Sequence, residues 1–260
     1  MKKLPFLQKP PLAFAHRGGA ASGDENTEAA FERAVSAGYR YVETDVHATR
    51  DGVPVVMHDP DLLRVTGSAG VVAALRWADL ASVRVGGAAA VPRLDEVLER
   101  WPEIRFNIDL KADDVVRPAV AAIDAAGARD RVLLASFSDR RMRLARQLAG
   151  PRVATSLAQG ETARLWLASR WGGRVRLPAG AVAAQVPPVF RRLRVVDRRF
   201  IASCHAQGLQ VHVWTVDDPA EMEGFLDAGV DGIMTDRIDV LREVFLRRGL
   251  WTEAEGLDHP

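Results

Sequence analysis

The feature that most restricts how this chain can fold is an alternation running almost from end to end. Short apolar runs occur at 12–15 (LAFA), 41–46 (YVETDV), 104–110 (IRFNIDL), 131–136 (RVLLAS), 152–156 (RVATS), 181–186 (AVAAQV), 210–216 (QVHVWTV) and 231–236 (DGIMTD). Between and after them lie stretches with apolar residues at helical spacing, among them NTEAAFERAVSAG, VVRPAVAAIDAAG and IDVLREVFLRRG. Several of these close on a glycine (Gly38, Gly127, Gly150, Gly208, Gly229), the residue that most easily makes the left-handed turn ending a helix. Eight strand–helix units in 260 residues predict a parallel (β/α)8 TIM barrel forming one domain over 1–260. An open doubly wound sheet is the second choice, but HRGGA at 16–20 is not the G-x-G-x-x-G of a dinucleotide fold. Residues 60–93 fit neither element and read as a small insertion in the second strand-to-helix connection.

Composition narrows the partners. A net charge of +1 gives no reason to expect nucleic acid, and the basic run RRLRVVDRR (191–199) reads as the coat of an exposed helix. The single cysteine, Cys204, excludes an intrachain disulfide and reads as a packing thiol. The opening MKKLPFLQKPP is broken by Pro5, Gln8 and Lys9, too early for a signal-peptide core, and no run reaches membrane-spanning length. The expectation is a cytoplasmic protein without stable membrane insertion.

In barrel enzymes the chemistry gathers at the carboxyl ends of the strands. The polar residues there are His16 and Arg17, Glu43 and Asp45, Asp109 and Lys111, Ser136, Gln185, Trp214 and Asp236. The second strand runs into a hairpin, ETDVHATRDGVPVVMHDP (43–60), with Asp51-Gly52 as its turn. A two-residue type I′ loop would set Arg50 opposite Val53 and Asp45 opposite His58, with Glu43 on the same face; a longer loop would shift that register. Two carboxylates on one face, with Asp109 as a third oxygen ligand, suit a hard divalent cation, Mg²⁺ or Ca²⁺, better than zinc. His16 and His58, reaching one site from different strands, can act as acid and base across a phosphorus centre. Arg17 offers a fork of donors to phosphate oxygens, and Gly18-Gly19 would let the backbone approach a ligand. His47 reads as peripheral, His205 and His212 as residues without partners, and His259 as part of a polar tail.

These residues, taken in order, carry a resemblance. AHRGG, then ENTEAAFERAVSAGYRYVETDVHATRDGVPVVMHDPDLLRVTG, FNIDLK, VHVWTVDD and GVDGIMTDRID resemble the glycerophosphodiester phosphodiesterase family over roughly residues 12–240. The resemblance implies a TIM-barrel, metal-dependent hydrolase that releases sn-glycerol 3-phosphate and an alcohol from a small-molecule glycerophosphodiester. It puts the catalytic histidines on His16 and His58, the metal carboxylates on Glu43, Asp45 and Asp109, the phosphate-binding cations on Arg17 and Lys111, and a substrate-flanking aromatic on Trp214. The nucleophile it implies is either the glycerol 2-hydroxyl, by way of a cyclic phosphate, or water. Two positions depart from the pattern: Asp24 stands where Pro usually precedes Glu-Asn-Thr, and Asp109 stands where Glu is common. A lysophospholipase D-type hydrolase on the same barrel is the rival reading, with VVAALRWADL (71–80) as a candidate amphipathic element. A non-catalytic phosphodiester-binding barrel would be expected to lack one of the histidines or acids, and all are present. A nucleic-acid phosphodiesterase would want a basic groove with stacking aromatics, and only Trp214 is well placed.

Overall fold

The computed structural model describes residues 4–251. All of the expected strands form: β1 (Leu12–Ala15), β2 (Tyr41–Ala48), β3 (Arg105–Leu110), β4 (Val132–Ala135), β5 (Ala154–Ser156), β6 (Ala181–Val186), β7 (Gln210–Val213) and β8 (Gly232–Thr235). Neighbours in this order pair in parallel, and β1 pairs with both β8 and β2, closing the barrel. The helices α1 (Glu28–Ser36), α2 (Leu94–Arg100), α3 (Val116–Ala125), α4 (Asp139–Ala149), α5 (Gln159–Ser169), α6 (Arg198–His205), α7 (Pro219–Asp227) and α8 (Ile238–Arg247) follow the strands in turn. Capping side chains start several of them. Thr27, Ser138, Asp197 and Asp218 each accept a backbone N–H from the first turn, satisfying donors a helix end leaves free.

Alternation along β2 and β3 sorts the barrel into layers. Val42 and Val46 pack outward with the helices, whereas Tyr41 joins Phe14, Leu133, Val182 and Met234 in an inner apolar floor. Phe6 closes the bottom, edge-on to Tyr41 at 5.4 Å, and the Tyr41 hydroxyl donates to Phe6 O (2.8 Å) and accepts from Gln8 N–H (3.0 Å). Residues 4–8 therefore form a plug, a role their broken apolar pattern conceals. Above the floor, Glu43 and Asp45 stand beside Asn107 and Asp109 in register. The strand period alone carries these four side chains to the carboxyl end.

The hairpin after β2 has a different register from the one Asp51-Gly52 suggests. The return strand Pro54–Val56 pairs Ala48 with Pro54 and Val46 with Val56, so the loop is three residues, Arg50-Asp51-Gly52. Gly52 takes a φ of 81° and donates to Thr49 O, and the Thr49 hydroxyl accepts from Val53 N–H (3.0 Å) and donates to Asp51 Oδ1 (2.6 Å). These side-chain bonds stabilise a turn followed by a left-handed glycine, the usual three-residue hairpin. Met57, not His58, therefore bonds across to Asp45, and His58 lies one residue beyond the ladder.

The insertion packs Leu62, Val72, Leu80, Val85 and Val91 onto Val55 and Met57 of the hairpin as a satellite core. The 71–80 stretch is not one amphipathic helix. It breaks into a 3-10 turn (Val72–Ala74) and a short helix (Trp77–Leu80), with Val72 and Leu80 turned into that core. Nor is RRLRVVDRR one helix face, because its first half forms a two-stranded hairpin, Val189–Phe190 with Leu193–Arg194, on the connection from β6 to α6. His205 and His212 do have partners. His205 Nε2 lies 2.6 Å from Asp231 Oδ2, and His212 sits between Gln185 Nε2 (3.2 Å) and Gln210 Oε1 (2.9 Å). Cys204 is fully buried in the main core, with its thiol pushed up to about 12 by burial. His259 lies outside the described residues.

Candidate active site

A cavity of about 510 Å³ opens at the carboxyl ends of the strands, and His16, Arg17, Glu43, Asp45, His58, Asp109, Lys111 and Trp214 all line it. Ser136 and Gln185 line it too, together with Asn107, which the sequence did not single out.

Both histidines are oriented in the same way. His16 Nδ1 lies 2.6 Å from Asp236 Oδ1, and His58 Nδ1 lies 2.6 Å from Asp59 Oδ1. In each dyad the carboxylate fixes the tautomer and leaves Nε2 free, the geometry of an oriented acid–base imidazole. Asp236 was noted as a strand-end acid, but its partnership with His16 joins β8 to β1 across the barrel closure. Asp59 is adjacent to His58 in sequence, and that adjacency was the available signal. Burial opposes a proton on His16, but the nearby Glu43 carboxylate (3.7 Å) and the Asp236 bond outweigh it, so its pKa is raised. Burial also opposes ionisation of Asp59, yet its bonds to Arg64 and His58 win and hold it at about 2.

A chain of ion pairs runs from one side of the mouth to the other. Asp59 accepts from Arg64 Nε; Arg64 grips Glu25 with two bonds (2.7 and 2.8 Å); and Glu25 accepts from Arg17 Nη1 (2.9 Å). Arg17 Nε comes within 3.3 Å of Asp45 Oδ2 but is not aligned for a hydrogen bond, and this buried donor has no partner. Asn26 donates to Asp45 Oδ2 (2.9 Å) and accepts from the Thr44 hydroxyl (2.8 Å). Glu25 and Asn26 thus brace the site, whereas the sequence showed them only as the approach to α1. The departure at Asp24 has its own use, a two-bond grip on Arg33 (2.8 Å each). Gly18 and Gly19 are also required by packing. A Cβ on Gly18 would lie 2.8 Å from Phe31, and one on Gly19 would lie 2.9 Å from Ile238.

The carboxylates crowd one wall. Burial, then the charge of Asp45, pushes Glu43 up to about 8. Asp45 stays ionised despite burial because Lys111 and Arg17 face it. Burial raises Asp109 against the pull of Lys111. The Lys111 ammonium bridges Asp45 Oδ1 and Asp109 Oδ2 at 2.8 Å each, and these charges keep it protonated in spite of burial. Among the described residues no three His, Cys, Asp or Glu stand grouped as a ready metal cage. Their donor chemistry nevertheless fits a hard cation. The ligand atoms are oxygens, Asp109 Oδ1 and Asn107 Oδ1 are buried without partners, and burial and the Asp45 charge make Glu43 ionise reluctantly, an effect a bound cation would oppose.

The other half of the cavity is apolar, lined by Phe137, Leu157, Trp166, Leu167, Phe190 and Leu193. Trp214 packs edge-on to Phe137 at 5.6 Å.

Fold and cavity define the class, a TIM barrel whose cavity at the carboxyl ends of the strands is lined by histidines, carboxylates and cations. Comparison with known proteins narrows it. The glycerophosphoryl diester phosphodiesterase family model matches residues 16–240. A Mycobacterium tuberculosis protein named "probable glycerophosphodiester phosphodiesterase 2" is 41% identical, covering 94% of each chain. A glycerophosphodiester phosphodiesterase of Caldanaerobacter subterraneus is 30% identical over 92% of this chain and 99% of its own. The crystal structure of glycerophosphodiester phosphodiesterase from Agrobacterium tumefaciens superposes with a TM-score of 0.73 at 27% identity, covering 89% of this chain and 99% of that one. The chain belongs to the glycerophosphoryl diester phosphodiesterase family.

Proposed function

We propose that this protein hydrolyses glycerophosphodiesters to sn-glycerol 3-phosphate and an alcohol, with His16 and His58 as the acid–base pair. The observation that carries this is the pair of aspartate-oriented imidazoles facing one cavity that also holds Arg17 and Lys111. One imidazole Nε2 takes the proton from the nucleophile as the new P–O bond forms, the nucleophile being water or the glycerol 2-hydroxyl, whose cyclic phosphate a water then opens to glycerol 3-phosphate. The other gives a proton to the departing alkoxide as the old P–O bond breaks. Arg17 and Lys111 bind the phosphate oxygens and balance the charge gained in the transition state. Trp214 flanks the substrate. Glu43, Asp45 and Asp109 would hold a divalent cation, Mg²⁺ or Ca²⁺, which when bound supplies charge withdrawal from the phosphate. The barrel, including the 60–93 insertion, acts as one domain.

The test is hydrolysis of a panel of glycerophosphodiesters with added Mg²⁺ or Ca²⁺ and coupled detection of glycerol 3-phosphate. Release from at least one member, lost in His16→Ala and His58→Ala, is the expected outcome; no release from any member would overturn the assignment. The apolar half of the cavity favours a second reading, a lysophospholipase D-type activity on acyl-bearing diesters. Parallel assays on glycerophosphocholine and lysophosphatidylcholine distinguish the two.

A further inference from the structure

The apolar half of the cavity opens onto a rim that the acid–base chemistry does not use. Nine large apolar side chains are exposed among the described residues, and Phe137, Leu167, Phe190 and Leu193 of these line this one cavity. Val189 stands on the same hairpin as the last two, and the five are between 45% and 58% exposed. Single exposed apolar residues are ordinary, but a cluster around a mouth marks an interaction surface.

The hairpin also concentrates charge. Phe190 pairs with Leu193 and Val189 with Arg194, so Arg191 and Arg192 form the tip. Arg191, Arg192 and Arg194 are exposed, and among the described residues none pairs with a carboxylate. Asp197, the nearest acid in sequence, is held by Arg170 at 2.5 Å. Arg191 lies over the Phe190 ring at 5.8 Å. Apolar side chains flanked by guanidiniums without carboxylate partners match an anionic lipid leaflet, where the apolar groups reach the acyl boundary and the arginines meet phosphates. A nucleic acid would engage the arginines but leave Phe190 and Leu193 in water. A second copy would bring two arginine-tipped hairpins face to face.

We propose that the Val189–Arg194 hairpin, with Phe137 and Leu167, docks the cavity mouth onto an anionic phospholipid surface. The apolar half of the cavity then faces the leaflet, positioned to receive the apolar arm of a membrane-borne diester. Docking requires neither a particular leaving group nor the proposed catalytic assignment. Each arginine near an anionic surface strengthens partitioning about fivefold, so three give roughly 100-fold, weakening as salt shortens the Debye length.

The experiment is co-flotation of the full chain with vesicles of mixed phosphatidylglycerol and phosphatidylcholine, or of phosphatidylcholine alone, at low and high salt. The wild type should bind the anionic vesicles at least about tenfold more tightly and release them in high salt. R191E/R192E/R194E, which removes three positive charges and adds three negative ones, should lose at least about 100-fold of that binding while its turnover of water-soluble glycerophosphocholine is unchanged. F190S/L193S should also bind less, with all three arginines in place. A chain that cleaves glycerophosphocholine yet ignores anionic vesicles, binds neutral ones equally, or binds undiminished in the triple variant overturns the docking surface and leaves the hydrolytic function standing. A dimer that F190S/L193S splits into monomers assigns the rim to a second copy and overturns it too. Vesicle binding by a chain that cleaves no diester keeps the docking surface and removes the hydrolytic function.

Discussion

Replacing Asp236 with Asn tests whether His16 works as an oriented acid–base group. The Asp236 carboxylate lies 2.6 Å from His16 Nδ1, a charge-assisted contact with a net value of about 1.5–3 kcal/mol. At about 1.4 kcal/mol per decade, loss of that interaction alone slows turnover roughly 10- to 150-fold. An asparagine that turns its NH₂ toward Nδ1 goes further, because it drives the imidazole proton onto Nε2 and removes the base; the comparable change in a serine-protease triad costs about 10⁴. The fold should survive, since the backbone N–H of residue 236 is held separately by Asp217 Oδ1 at 2.8 Å. Asp236 also raises the His16 pKa, so its removal should move the limb of the pH–rate profile that belongs to His16 toward lower pH. The assay is steady-state release of glycerol 3-phosphate across pH, with thermal melts alongside. The expected pattern is a fall in kcat of at least about tenfold with little change in KM, a shifted limb and a melting temperature near that of the wild type. Turnover within threefold of wild type and an unmoved limb would refute the His16–Asp236 dyad.

The remaining expectations concern the other dyad, the cation and the fold. His58→Ala should lower turnover by about 10²-fold or more, and Asp59→Asn by about tenfold or more, as measured by product release from folded protein. A chelator should abolish activity and Mg²⁺ or Ca²⁺ should restore it. Because burial and Asp45 raise Glu43 above the usual carboxylate range, cation binding near neutral pH should release protons, seen as a buffer-dependent heat in calorimetry. His212 is held neutral by burial, its pKa lowered from 6.5 to about 3, so the unfolded chain binds a proton that the folded chain refuses. Its contribution to stability is therefore complete above about pH 6.5 and declines below it, by about 2 kcal/mol at pH 5. In denaturant titrations His212→Asn should flatten that slope; an unchanged slope would remove His212 as its source.

Each part of the molecule was legible to the degree that its signal is local. The apolar runs and glycine stops located the strands and helices, because period and punctuation are properties of consecutive residues. The same strand period placed Glu43 and Asp45 on one face of β2, and the barrel rule brought His16, Asp109, Lys111 and Trp214 to the same rim. The hairpin register was misjudged by one residue because Asp51-Gly52 pointed to a two-residue loop, while the Thr49 hydroxyl stabilises a three-residue one. His58 reaches the cavity all the same, from the loop beyond the ladder.

What the chain by itself determined was the order of its elements and the set of reactive groups, since both follow from residue type and spacing. Tertiary structure decided which groups meet. The His16–Asp236 bond spans 220 positions, and the Arg64–Glu25 link joins the insertion to the approach to α1 across 39. Barrel closure and the folding of the 60–93 excursion create those contacts. Electrostatic character was likewise settled in three dimensions. Glu43 and Asp45 are both carboxylates on one strand, yet burial and Asp45 raise the first while Lys111 and Arg17 keep the second ionised. A pKa is set by what surrounds the group, and that environment is assembled from distant parts of the chain.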